Sequence, residues 1–330
     1  MNIGGRRFPN SFGASGARGF FGEGYRHHLP MQLLFPGFDF DGSGFISKTI
    51  TIPERMPRLE ELGMGFGNMV LDRETLQPVE MFPDCISVSW LSGEAANSVG
   101  LSNPGAEILF EMGLWQEIRQ PFIISSMAIG EDRIKRLQQT RAMRNLFVEH
   151  RASFSAPVAW QANKSCPNTG HDPAIFMQDT MGELEIANEA GIPVGIKINV
   201  LTPIDAMVKV ANSGLCAFLE IPNTLPIGAL PDKVDWRRKY GGKAPLPTVY
   251  GAGGYSGPEN FQLALEWIYK ARHRGIEIPI ICGGVSCRED VRKAKVVGAN
   301  AVAFARITMS PFHAWKVAGI IEEANKIFED

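Results

Sequence analysis

Eight short apolar or β-prone runs punctuate the chain, at roughly 12–15, 45–51, 121–126, 158–163, 194–199, 217–221, 279–283 and 301–305. Stretches with helical spacing separate most of them, clearest at 103–117, 131–149, 173–190, 258–274, 288–297 and 311–328. Three of these open with Pro173, Pro258 or Pro311, at the first helical turn, where a missing N–H costs nothing. Strands alternating with helices imply a parallel sheet, and eight such units imply closure into a barrel. No linker or composition break divides the chain. The expectation is therefore an α/β protein of one domain over residues 1–330, a single (β/α)8 TIM barrel.

Two segments exceed a minimal barrel. Residues 53–98 are rich in Gly, Pro and Met, with a hairpin expected around Asp72-Arg73-Glu74, and residues 223–257 are rich in Pro and Gly. They follow the second and sixth strands, so they should lie over the C-terminal mouth, where barrel loops carry function.

Composition narrows the function classes. The 330 residues are 45% hydrophobic and 21% charged, with a net charge of −2, which removes the electrostatic case for a nucleic-acid partner. No apolar run approaches the ~18 residues of a membrane span, and Phe8-Pro9-Asn10 after Arg6-Arg7 is no secretion signal. Five scattered cysteines without a C-x-x-C pair argue against structural zinc and disulfides, and for a cytoplasmic setting.

Candidate chemistry collects at the strand ends. Asn163-Lys164-Ser165-Cys166-Pro167-Asn168 leaves the fourth strand and enters a turn. Carboxamides both donate and accept, which suits a heterocycle edged with alternating C=O and N–H groups. A cysteine whose surroundings lower its pKa can act as a base. A turn whose asparagines cap their own backbone explains the same residues equally well. Lys48-Thr49 ends the second strand and Lys197 lies in the fifth, and a lysine in an apolar strand needs a partner. Two at one level suggest a shared anionic ligand. Gly253-Gly254, Gly283-Gly284 and Ala305-Arg306 precede or end late elements, where barrels hold phosphates. Asn97, Asn223 and Thr224 complete the polar set, with backbone N–H groups of the Gly100-Leu101 stretch available for a carboxylate.

Assembled in this order, these segments resemble the dihydroorotate dehydrogenase family, in its soluble class with a cysteine base. Ala14-Ser15-Gly16, Ser47-Lys48-Thr49, Asn97 to Gly105, Asn163 to Asn168, Lys197, Asn223-Thr224 and the glycine pairs carry the likeness. The resemblance implies FMN, held by Ala14, Ser15, Lys48, Thr49, Asn97, Asn163 and Lys197, with Gly253, Gly254, Gly283, Gly284, Ala305 and Arg306 around its phosphate. It implies a dihydropyrimidine gripped by Lys48, Asn97, Gly100, Leu101, Asn163, Asn168, Asn223 and Thr224. Cys166 and Lys48 would be the catalytic residues, with Cys166 taking a proton from C5 of dihydroorotate. A homodimer and a separate electron-transfer partner belong to the same expectation. The chain departs from the family at Ala305-Arg306, where Gly-Thr is common, and at Glu220, whose charge would repel an anionic substrate. The alternatives are a dihydropyrimidine dehydrogenase-like flavoenzyme for uracil or thymine, and a flavin-binding barrel without catalysis.

Overall fold

All eight apolar runs contribute parallel strands in the computed structural model, which describes residues 1–35, 38–58, 67–164 and 173–329 and leaves aside the side chains of 173–178. They are β1 (Ser11–Gly13), β2 (Gly44–Phe45), β3 (Phe122–Ser126), β4 (Val158–Asn163), β5 (Val194–Lys197), β6 (Phe218–Ile221), β7 (Ile280–Gly283) and β8 (Ala301–Phe304). The run at 45–51 is strand only at its start, with Ile46 and Ile50 in isolated bridges and Lys48-Thr49 beyond the strand. Hydrogen bonding runs in the order β2-β1-β8-β7-β6-β5-β4-β3. Parallel bridges Ile46↔Ile123 and Ile50↔Ser126 then join the two ends, with Ser47 N–H donating to Ile123 O at 2.9 Å. The barrel is closed.

Strands covered on both faces read as continuous apolar runs, which is why they were visible in the pattern. One face packs outward on the helices, with Trp160, Ile196, Leu219 and Ile280 in the larger core cluster. The other fills the barrel with Phe12, Ile123, Ala159, Phe218 and Ile281, and Ile3 and Phe8 of the N-terminal segment join this inner cluster. Gly195 is required inside. A Cβ there would lie 2.4 Å from the Phe218 ring on the neighbouring strand.

The helices differ from the expected ones in detail. The stretch at 103–117 splits into Ala106–Glu111 and Leu114–Glu117, because Gly113 between them takes φ +74°. The last helix runs Lys316–Ile327, starting later than its Pro311 suggested. Ile204–Ala211 is an additional helix of eight residues that buries Met207, Val210 and Ala211.

The two excursions meet. Ile86–Ser89, Glu94–Asn97, Leu225–Pro226 and Gly254–Ser256 form one four-stranded antiparallel sheet, with Gly254 opposite Asn97 and Leu225 opposite Tyr255. Lys239 Nζ ties them further, 2.5 Å from Glu94 and 2.8 Å from Glu259. The hairpin at Asp72 is present as well, closed by the Leu71↔Pro78 bridge. This sheet and the strand ends face each other across a cavity.

Candidate active site

A cavity of about 500 Å³ opens at the C-terminal ends of the strands. Its floor is a chain of short polar side chains, one strand end passing to the next. Ser15 Oγ lies 2.9 Å from Thr49 Oγ1, which lies 3.0 Å from Ser125 Oγ and accepts from Asn163 Nδ2 at 3.2 Å. Asn163 Oδ1 in turn accepts from Asn223 Nδ2 at 2.9 Å, and Asn260 Nδ2 donates to Asn223 O at 3.1 Å. Each amide is thereby oriented before any ligand arrives, as preorganised recognition requires.

Four charges stand around this floor. Lys48 Nζ donates to Ser102 O and lies 5.2 Å from the Phe20 ring centroid. Lys197 Nζ is 3.0 Å from Glu220 Oε1, while Glu220 Oε2 accepts from Gln161 Nε2 at 2.6 Å. Lys197 and Glu220 are register partners on β5 and β6, so the two strands deliver the pair together. The glutamate that was expected to repel an anion is thus balanced by the adjacent lysine. Arg306 is 5% exposed; its Nη1 donates to Gly93 O at 2.8 Å and its Nε has no partner among the described residues. Burial pulls the Arg306 pKa below its ordinary value.

The glycines sort into two groups. Gly283, Gly284 and Ala305 line the cavity, with Gly284 at φ +84°. Gly253 and Gly254 do not line it: Gly254 begins a strand of the small sheet, and Gly253 O accepts from Ile227 N–H at 3.2 Å. Ser256 and Gly257 line the cavity from that strand instead, at the start of the helix Pro258–His273, whose first-turn N–H groups suit an anion. The signal was in the sequence, since Pro258 at the first helical position marks where that helix begins.

Ala14, Ser15, Thr49, Asn97, Gly100, Leu101, Asn163, Asn223 and Thr224 all line the cavity, as do Lys48, Lys197 and Arg306. Gly100 and Leu101 both take positive φ, +70° and +62°, an uncommon conformation for leucine. Asn103 braces the turn from below: its Nδ2 donates to Leu101 O at 2.7 Å and Thr51 Oγ1 at 2.8 Å. Sequence reasoning missed Asn260 and the apolar outer wall of Met69, Met81, Phe82, Ile86, Val88 and Trp90.

Cys166 and Asn168 lie outside the described residues. The segments on either side are firmly anchored. Lys164 Nζ is 2.6 Å from Glu183 Oε1, both buried, and Asp179 receives Arg136 Nε at 2.9 Å. Burial lowers the Lys164 pKa and raises that of Glu183, each opposed by the other's charge. Among the other cysteines, burial pushes the Cys85 and Cys216 thiols up to about 12, and Cys282 higher still, so these three are poor bases near neutral pH. No helix among the described residues is long and apolar enough to cross a membrane.

A closed (β/α)8 barrel whose mouth gathers carboxamides, cations and glycines around one cavity is a common enzyme scaffold. The dihydroorotate dehydrogenase family model matches residues 42–324. The chain is 27% identical over 303 residues to dihydroorotate dehydrogenase A (fumarate) of Lacticaseibacillus paracasei, covering 88% of this chain and 84% of that protein. It is 30% identical over 218 residues to the catalytic subunit of dihydroorotate dehydrogenase B (NAD(+)) of Geobacillus kaustophilus, covering 64% of each. The fold is similar to that of a DHODH from Eimeria tenella solved with ferulenol, with a TM-score of 0.62, 16% identity, and coverage of 99% of this chain and 83% of that one. The chain belongs to the dihydroorotate dehydrogenase family, a family of oxidoreductases.

Proposed function

We propose that the protein oxidises dihydroorotate to orotate with FMN bound in the barrel mouth and Cys166 as general base. The observation that carries this reading is the hydrogen-bonded floor from Ser15 through Thr49 and Asn163 to Asn223, flanked by Lys48, Lys197 and Arg306 around one cavity. The residues fit the cofactor. Arg306 Nε, which has no partner among the described residues, the Gly283-Gly284 turn and the helix start at Ser256-Gly257 supply donors suited to a phosphate, beside a polar floor suited to a flavin ring.

FMN bound there supplies the two-electron acceptor for hydride from C6 of the substrate. Cys166 takes the proton from C5, which lies α to a carbonyl and grows more acidic as carboxamides donate to the developing oxyanion. Asn163 and Asn223 carry free donor or acceptor capacity for the pyrimidine edge after bonding each other. Lys48, with Asn168 and the Gly100-Leu101 turn, meets the substrate carboxylate. A free thiol has a pKa of about 8.5, so the activity of Cys166 depends on a setting that favours the thiolate.

Purified protein reconstituted with FMN should form orotate from dihydroorotate, followed by ultraviolet absorbance, and leave dihydrouracil and dihydrothymine unreacted. Turnover of dihydrouracil with dihydroorotate inert would move the assignment to the uracil or thymine class. Failure to bind FMN would end the flavin reading.

A further inference from the structure

The cavity cation at Lys197 does not stand alone. Its Nζ lies 3.0 Å from Glu220 Oε1, and Glu220 is wholly buried, with its other oxygen accepting from Gln161 Nε2 at 2.6 Å. Lys197 and Glu220 both line the cavity, and Gln161 on β4 sits opposite Gly195 on β5, one level below the Asn163–Lys197 register pair. A buried carboxylate this close cancels most of the field that a lone ammonium would project into the cavity. Gln161 holds the carboxylate in place without adding charge.

We propose that Glu220 is a tuning residue for the flavin: as counter-ion to Lys197, it makes reduction of bound FMN less favourable than Lys197 alone would. The inference rests on the FMN reading above. Reduction adds negative charge to the flavin, and a net cation at its side favours that state. Neutralising the cation withdraws that support, so the oxidised form gains and electrons pass on to an acceptor more readily. Glu220 is a positioning residue here, acting through Lys197.

The test is the midpoint potential of the FMN-loaded protein, measured against a redox dye, for wild type and Glu220→Gln. Glutamine keeps the shape and can still accept from Gln161. The reduced-to-oxidised equilibrium should shift at least tenfold toward reduced FMN, which is about +30 mV for a two-electron couple. An unchanged or lower potential overturns the proposal and leaves FMN binding intact. Wild-type protein that binds no FMN overturns the flavin reading together with this one. Should Glu220→Gln not fold, Glu220→Met, which keeps Lys197 and removes its counter-ion, is measured in the same way. It should favour reduced FMN at least tenfold more than wild type, and an equal or lower potential would overturn the proposal. A merely structural ion pair would alter stability and leave the potential in place.

Discussion

Replacing Arg306 with methionine should separate ligand binding from folding. The guanidinium is 5% exposed, and its bonding among the described residues is one donation to Gly93 O at 2.8 Å. A buried charge with so little compensation stabilises the protein weakly, and a methionine of similar length can fill its space. The FMN-free protein should therefore melt within about 1 kcal/mol of wild type, or slightly above it. The loaded protein should behave differently. If Arg306 Nε meets the ribityl phosphate, the lost charge-assisted bond is worth about 1.5–3 kcal/mol. At about 1.4 kcal/mol per tenfold, the Kd for FMN should rise roughly 10- to 150-fold. Titrating stripped protein into FMN and following the quenching of flavin fluorescence reads the Kd, and thermal melts without FMN read the folding term. Equal FMN affinity in the two proteins would refute the phosphate assignment. A large loss of stability without FMN would show instead that Arg306 mainly holds Gly93 and the small sheet.

Asn163→Ala removes the joint between Thr49 and Asn223 and leaves Asn223 Nδ2 without its acceptor, a cost of about 1–3 kcal/mol that denaturant midpoints will read; a loss below that range would mean the floor is not continuous. Acid should loosen the segment before β2. Burial lowers the pKa of His27 to about 4 and of His28 to about 3, and His28 Nδ1 accepts from Tyr25 N–H at 3.1 Å. Because the folded state binds fewer protons than the unfolded one, stability is full above the unfolded pKa of about 6.5 and falls as pH drops toward 4 and 3. The slope is up to about 1.4 kcal/mol per pH unit for each histidine. His28→Asn should flatten the pH dependence of urea midpoints between pH 7 and 5, and an unflattened profile would rule out that histidine. Lys239→Met should destabilise the mouth: burial alone would lower this pKa, but bonding to Glu259 and Glu94 outweighs burial and raises it. Faster proteolysis within 223–257 is the expected sign, and an unchanged digestion pattern the contrary one.

The barrel was legible because its strands are buried on both faces and so appear as unbroken apolar runs, such as Ile280–Gly283 and Ala301–Phe304. The polar residues at their ends stood out for the same reason. Lys48, Asn163, Lys197 and Asn223 interrupt or end apolar segments, and the structure brings them to one cavity. Pairing between distant segments was not legible. Nothing local to Asn97 says that Gly254 will lie opposite it, so the shared sheet of the two excursions emerged only from the fold. The glycine pairs show the same limit: Gly253-Gly254 and Gly283-Gly284 look alike as sequence, but strand register sends the first into the small sheet and the second to the cavity. Glu220 was readable as a charge in an apolar strand, whereas its pairing with Lys197 depends on the β5–β6 register.

Anaerobic addition of dihydroorotate to the FMN-loaded protein, with flavin absorbance followed in wild type and Cys166→Ala, tests the central claim most directly. Rapid bleaching of the wild type, slowed a hundredfold or more in the variant, is the predicted result for a general base of this kind. A wild type that stays yellow, or a variant that bleaches as fast, would contradict dihydroorotate as substrate in the first case and Cys166 as base in the second.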